Sequence, residues 1–133
     1  MHVKIAASAR TGEPARVIQI LVIDDDRAIG ELIRDVLRDE GYELVFVEHL
    51  DQAPLGLAPA LVITDLVGLH HYDTDAARAV LTRVNDRYPN VPIAVCTGHE
   101  RALHDPRLGA VAVVRKPFTL EALVQTVAQA IAR

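Results

Sequence analysis

The sequence predicts an α/β domain in which five parallel strands are covered by helices on both faces. Short, β-branched apolar runs alternate with stretches of helical periodicity from Val17 onward, the pattern of strand and helix crossovers. The runs also end on residues with chemistry: Asp24, Asp25 and Asp26 after the first, Asp65 after the third, Thr97 after the fourth and Lys116 after the fifth. Crossovers between parallel strands are right-handed, so all strands point one way and these residues share one edge of the sheet. An open α/β sheet places its ligands at that edge.

Each element has its own reason. Val17 to Ile23 is apolar apart from Gln19 and reads as a buried strand. Ile29, Leu32, Ile33, Val36 and Leu37 then recur at helical spacing, giving a helix from about Arg27 to Glu40 that Gly41 stops in a left-handed conformation. Leu44 to Val47 is the second strand. The crossover after it, from Asp51 to Gly56, contains Pro54 and is expected to hold only a stub of helix. Leu61 to Thr64 is the third strand, followed by a loop to about Asp73. The next helix carries Ala77, Val80, Leu81, Val84 and Tyr88, and Pro89 closes it. Ile93 to Cys96 is the fourth strand, ending on Thr97 and Gly98. Glu100 to Arg107 leaves room for two turns of helix before Gly109, and Val111 to Val114 is the fifth strand. Thr119 caps a last helix with Leu120, Leu123, Val124, Val127 and Ile131 on one face.

The chain has 133 residues, half of them hydrophobic, enough for one well-cored domain. We expect a single domain over residues 17–133 behind a loosely ordered extension over residues 1–16. The net charge is −4 and Lys and Arg do not cluster, which argues against nucleic-acid binding by this domain alone. One cysteine, Cys96, lies inside an apolar run and reads as a small buried hydrophobe. No disulfide framework exists, no run is long enough to span a bilayer, and the N-terminal residues do not form a secretory signal, so the expected setting is cytoplasmic.

Adjacent carboxylates repel, and a divalent metal among them is the simplest compensation for Asp24 and Asp25. Asp26, nearest the helix start, is assigned to capping. His70 and His71, neighbours in a loop, read as surface residues rather than ligands of one metal.

The fragments Ile20 to Asp26, Leu61 to Asp65, Ile93 to Gly98 and Val114 to Phe118, in this order and spacing, resemble the receiver domain of two-component response regulators. The resemblance implies a flavodoxin-like (βα)5 doubly wound sandwich with strand order 2-1-3-4-5. It also implies that Asp65 accepts a phosphoryl group from a sensor histidine kinase or phosphotransfer protein, forming an aspartyl phosphate. Mg²⁺ would be held by Asp24, Asp25, Asp65 and the main-chain carbonyl of Val67, with Asp25 bound directly and Asp24 through water. Thr97 would donate to one phosphoryl oxygen, Lys116 would pair with another, and Gly98 would leave room for the group. Lys116-Pro117 would be a cis peptide. His99, two positions beyond Thr97, is read as tuning water access to the phosphoryl group. The implied role is a signalling switch, not an enzyme with an external substrate, acting on an unidentified downstream protein, with a homodimer left open.

The chain also departs from that family's pattern. Val113 stands where receivers commonly carry a Tyr or Phe, the loop after Asp65 lacks a Pro-Gly turn, and the second and fourth helices are short. These departures favour an alternative: a receiver-like interaction module that is not phosphorylated. A haloacid-dehalogenase-like phosphatase is disfavoured because Ala28 stands where a hydroxyl residue is needed. A flavin-binding flavodoxin is disfavoured because its first loop would offer acid to a phosphate. No output domain fits after Arg133, so the expectation is a stand-alone switch or, equally, a receiver taken from a larger regulator.

Overall fold

The computed structural model describes residues 17–66 and 69–132. The sequence-stretch assigned to an N-terminal extension, residues 1–16, lies outside the described residues, as does Val67. The element order is β1 (Gln19–Ile23), α1 (Arg27–Asp39), β2 (Glu43–Val47), a 3₁₀ turn (Leu50–Gln52), β3 (Leu61–Thr64), α2 (Thr74–Arg87), β4 (Ile93–Thr97), α3 (Glu100–Leu103), β5 (Ala112–Arg115) and α4 (Leu120–Ile131). The strands form one sheet in the order β2-β1-β3-β4-β5, and every neighbouring pair is parallel. Fold class, parallel sheet and strand order therefore agree with the expectation.

Alternation along the central strands divides the core. Ile20 and Val22 of β1 and Leu61 and Ile63 of β3 face α1 and α4, where Ile33, Leu37, Leu123 and Val127 are buried. Leu21 and Ile23, with Val62 and Val95, face the other way onto Ala77, Leu81 and Val84 of α2 and Ala102 of α3. Both sheet faces are thus covered, which explains why these strands read as continuous apolar runs rather than as alternating ones.

The helix ends follow local chemistry. Asp26 caps α1, its carboxylate accepting from the Ala28 and Ile29 amides at 3.0 and 3.3 Å. At the other end Gly41 takes φ 93°, and the Gly41 and Tyr42 amides donate to the Arg38 and Leu37 carbonyls at 3.0 and 3.1 Å. That paired closure needs a residue at ease in the left-handed region. Asp73 and Thr119 cap α2 and α4. Gly30 lets α1 lie close on β2, since a Cβ there would fall 2.1 Å from the Phe46 ring.

Several boundaries differ from the sequence reading. The first strand starts at Gln19, because Val17 is 63% exposed and lies beyond the sheet. α1 ends at Asp39, with Glu40 as its cap. β2 and β5 are displaced by one residue at their starts, to Glu43 and Ala112, and β4 includes Thr97. The larger correction is α3, a single turn over Glu100–Leu103 where two turns were expected. Pro106 disfavours helical backbone at Asp105, and the Asp105 carboxylate accepts from the Arg107 amide at 3.0 Å, making a turn instead.

Leu37 is fully buried, whereas Leu32 on the same helix is 42% exposed. Leu37→Ala should destabilise the domain by about 2–5 kcal/mol, and Leu32→Ala by no more than about 0.5 kcal/mol. Urea denaturation of the two variants beside the parent checks the difference.

Candidate functional site

The sheet register assembles the site. The Asp65 amide donates to the Ile23 carbonyl at 2.9 Å and the Asp24 amide to the Val47 carbonyl at 3.0 Å, so both acids continue their strands just past the last paired residues. Asp24, Asp25 and Asp65 come together, offering carboxylate oxygens that all lie within 4.8 Å of one another. Asp24 is buried, Asp65 half-buried and Asp25 exposed. On the far side of β4, Thr97 pairs with Arg115, and the Lys116 amide donates to the Thr97 carbonyl at 2.8 Å. The ammonium of Lys116 then reaches back to Asp24 Oδ2 at 2.7 Å and to Asp65 Oδ2 at 3.3 Å. The Lys116-Pro117 bond is cis, as the sequence comparison implied.

The remaining lone pairs are also engaged. Asp24 Oδ1 accepts from the Asp26 amide at 2.8 Å, and Asp65 Oδ1 accepts from the Leu66 amide at 2.8 Å. Asp25 is the acid turned to solvent. The Thr97 hydroxyl oxygen is fully buried and accepts from the His99 amide at 3.1 Å, which leaves its proton to donate elsewhere. A Cβ built on Gly98 would meet nothing within 4 Å. A cavity of about 340 Å³ opens beside Asp65, floored by Ile23, Leu50, Val80 and Val84, where the crossover after β2 makes only a 3₁₀ turn.

Charge is unevenly compensated here. Burial pushes the Asp24 carboxyl above its ordinary range, and the hydrogen bonds from Lys116 and Asp26 offset this only in part. Burial pulls the Lys116 ammonium down, but the hydrogen bond to Asp24 and the charges of Asp65 and Asp24 outweigh it and leave lysine above its ordinary value. The ammonium is therefore secure and the strain falls on the carboxylates. Two like charges this close repel by about 3–4 kcal/mol at an effective dielectric near 20, less where water screens Asp25. Three clustered carboxylates with one ammonium between two of them form a hard, oxygen-rich donor set that could hold a metal ion.

Comparison with known proteins gives the same reading. Residues 20–128 match the response regulator receiver domain. The chain belongs to that family. The response regulator protein FleR of Pseudomonas aeruginosa is 33% identical over 117 residues, covering 84% of this chain and 24% of FleR. The receiver thus spans about a quarter of the length of the curated relatives it matches. Among solved structures, NtrX of Brucella abortus in complex with ADP superposes with a TM-score of 0.72 at 29% identity, covering 88% of this chain and 26% of that one. The chemotaxis response regulator CheY4 of Vibrio cholerae superposes at 0.66 with 24% identity, over 86% of this chain and 99% of that one, and supports the fold.

Within this receiver, Asp24, Asp25, Asp65 and Lys116 meet as the sequence reading placed them, and Thr97 joins through the β4–β5 ladder. The Val67 carbonyl lies outside the described residues. His70 and His71 are exposed, and Cys96 is a buried free thiol pushed up to about 12 by burial. His99 places Nε2 2.8 Å from the Leu69 carbonyl oxygen, tying the segment after Thr97 to the loop after Asp65. Val113 is half-buried against the α2-side core. Sequence reasoning missed Tyr72, Thr74 and Asp105, whose hydroxyls and carboxylate meet from segments 31 and 33 residues apart. No local periodicity marks such a contact. Among the described residues no helix is long and apolar enough to cross a membrane.

Lys116→Met should leave Asp24 buried without its counter-charge and cost about 3–5 kcal/mol at neutral pH. With its partner gone, the Asp24 pKa rises further above its unfolded value. The folded state then binds the extra proton, and stability increases as pH falls through that raised pKa towards the unfolded one. Denaturation of the variant at a series of pH values should show part of the loss recovered in mild acid, whereas a flat profile would contradict the assigned pairing.

Proposed function

We propose that this receiver is a phosphoacceptor switch that takes a phosphoryl group onto Asp65 from a histidine kinase or a phosphotransfer protein. The observation that carries this reading is the Lys116 ammonium, held 3.3 Å from Asp65 Oδ2 by its shorter contact with Asp24. An Asp65 oxygen attacks phosphorus as the N–P bond of a phosphohistidine breaks, and the departing imidazole takes up a proton. Positioning and charge neutralisation dominate phosphoryl transfer, so a weakly nucleophilic carboxylate suffices. Lys116 pairs with a phosphoryl oxygen as a point charge, the Thr97 hydroxyl donates to another, and the open space over Gly98 admits the group.

Mg²⁺, for which the donor set is suited, would be held by Asp24, Asp25, Asp65 and the Val67 carbonyl, and would neutralise phosphoryl oxygen charge when bound. Both Asp24 oxygens are already engaged and Asp25 is exposed, which supports direct ligation by Asp25 and a water-bridged role for Asp24. The chain acts on itself and not on an external substrate, so it is a signalling switch instead of an enzyme in the ordinary sense. A reducing cytoplasm suits its lone, buried thiol. Its output is a change in protein–protein contacts, because an added phosphoryl supplies charge and acceptors to a local element.

Incubation with Mg²⁺ and acetyl phosphate, followed by mass mapping of a base-labile adduct, should place label on Asp65. Asp65→Asn and a chelator should each abolish it. Asp25→Ala should lower Mg²⁺ affinity at least about tenfold, read by the magnesium dependence of labelling. Label on Asp24 would point to phosphatase-like chemistry, and no label to an interaction module that is not phosphorylated.

A further inference from the structure

We infer that the cavity beside Asp65 is a binding site for a free α-amino acid with an apolar side chain, its carboxylate held by Arg83 and its ammonium by Asp51. This goes beyond the phosphoacceptor reading and stands without it.

The cavity comes from the crossover after β2. That crossover makes only a 3₁₀ turn over Leu50–Gln52, and a space of about 340 Å³ is left between the turn, the ends of β1 and β3, and α2. Such a volume lies at the small end of the range for ligand pockets, roughly 300–1,000 Å³. The floor is hydrocarbon: Ile23 and Val84 are buried, Leu50 and Val80 half-buried. Thr64 adds little polarity, because its hydroxyl already donates to the Asp65 carbonyl at 2.9 Å. A floor of this kind favours a compact apolar group over water, which would find few polar partners there.

The rim sets the polar end of the ligand. Arg83 and Val84 follow Val80 by three and four positions on α2, so the guanidinium rises from the same helix face that builds the floor. Glu48, Asp51 and Asp65 carry negative charge around the same space. Arg83 nevertheless pairs with none of them. Glu48 meets Arg27 at 3.5 Å and Asp65 meets Lys116 at 3.3 Å, whereas among the described residues neither Arg83 nor Asp51 has a side-chain partner. A guanidinium and a carboxylate that line one small cavity without meeting suit a ligand that carries both opposite charges. A simple carboxylate would pair with Arg83 but bring its charge towards three acids, and a simple amine would face the guanidinium. A zwitterion adds no net charge beside Asp65 and pairs with both groups. An α-amino acid is such a zwitterion, and its side chain supplies the apolar group for the floor.

The test titrates the full chain, labelled with ¹⁵N and free of Mg²⁺ and phosphodonor, with L-leucine as the probe. The amides of Ile23, Leu50, Val80 and Val84 should shift and saturate at millimolar concentration. N-acetyl-L-leucine lacks the ammonium and resembles a protein C-terminus; L-leucinamide lacks the carboxylate and resembles a protein N-terminus. Each should bind at least about tenfold more weakly than leucine, and glycine, without an apolar side chain, should not shift these amides. Arg83→Gln and Asp51→Asn replace exposed side chains, and well-dispersed spectra verify that both fold. Each should weaken leucine by about tenfold. Arg83→Gln should leave leucinamide unchanged, because that probe has no carboxylate for the guanidinium to hold. Absence of a saturable shift with leucine would overturn the proposal, as would either analogue or glycine binding as well as leucine, or undiminished leucine binding in either variant.

Discussion

The Lys116 ammonium between Asp24 and Asp65 is the interaction on which the rest of the site depends. Without it a buried carboxylate would stand beside two others at a sheet edge, with only the Asp26 and Leu66 amides to offset the repulsion. Much of the local architecture serves to place that one nitrogen. β5 pairs with β4 so that the Lys116 amide is held by the Thr97 carbonyl, and α4 starts shortly after under a threonine cap. A single backbone contact thereby fixes the hydroxyl and the amine relative to each other, while the β1–β3 ladder fixes the two acids. Four strands contribute, and the parallel sheet is what gives their ends a common side.

The packing around this edge is asymmetric, and the asymmetry follows from the crossovers. On the α1 and α4 side the helices run for 13 and 12 residues and bury their apolar stripes against β1, β3 and β4. On the opposite side only α2 is of comparable length, and the other two crossovers shrink to a 3₁₀ turn and to one helical turn. The 3₁₀ turn is held by a side chain from outside it, Arg87, which donates to the Leu50 and Ala53 carbonyls at 3.4 and 2.9 Å. Where a longer helix would have filled the sheet face, a cavity opens beside Asp65. Short crossovers thus shift the work of holding the site-side loops from helical packing to individual hydrogen bonds. The Asp105 contacts belong to the same pattern.

Much of this was legible before any coordinates. The Val17 to Ile23 run followed by three aspartates could only be a strand feeding a polar edge, and the same grammar repeats at Asp65, Thr97 and Lys116. Asp26, Gly41 and Thr119 announced their caps because capping is local chemistry. What was not legible was of two kinds. Pairing decides where a strand starts, so Val17, apolar but beyond the sheet, was indistinguishable from Ile20. Contacts distant in sequence leave no periodic trace, so Tyr72 and Asp105 read as an ordinary loop aromatic and an ordinary turn acid. The length of α3 stands between these cases, because Pro106 already disfavoured helix at Asp105 and the second turn should not have been expected.

The site is also where the rules that stabilise the rest of the domain are broken. Elsewhere the core is built from apolar groups, and Asp26 and Asp73 serve as helix caps; here Asp24 is buried with its carboxyl pushed above its ordinary range while Asp25 and Asp65 crowd it. Such an arrangement lowers stability, and a fold retains it where binding exploits it. A site already carrying excess negative charge gains most from a dication. With that charge balanced, the proposed acceptor carboxylate would take an anionic phosphoryl group without adding to an existing repulsion. Lys116 cannot perform this alone, since one ammonium faces three acids. On the proposed function, the electrostatic deficit of the bare site is what a hard dication would relieve, and weakening the deficit by neutralising Asp24 would stabilise the edge at the expense of the proposed chemistry.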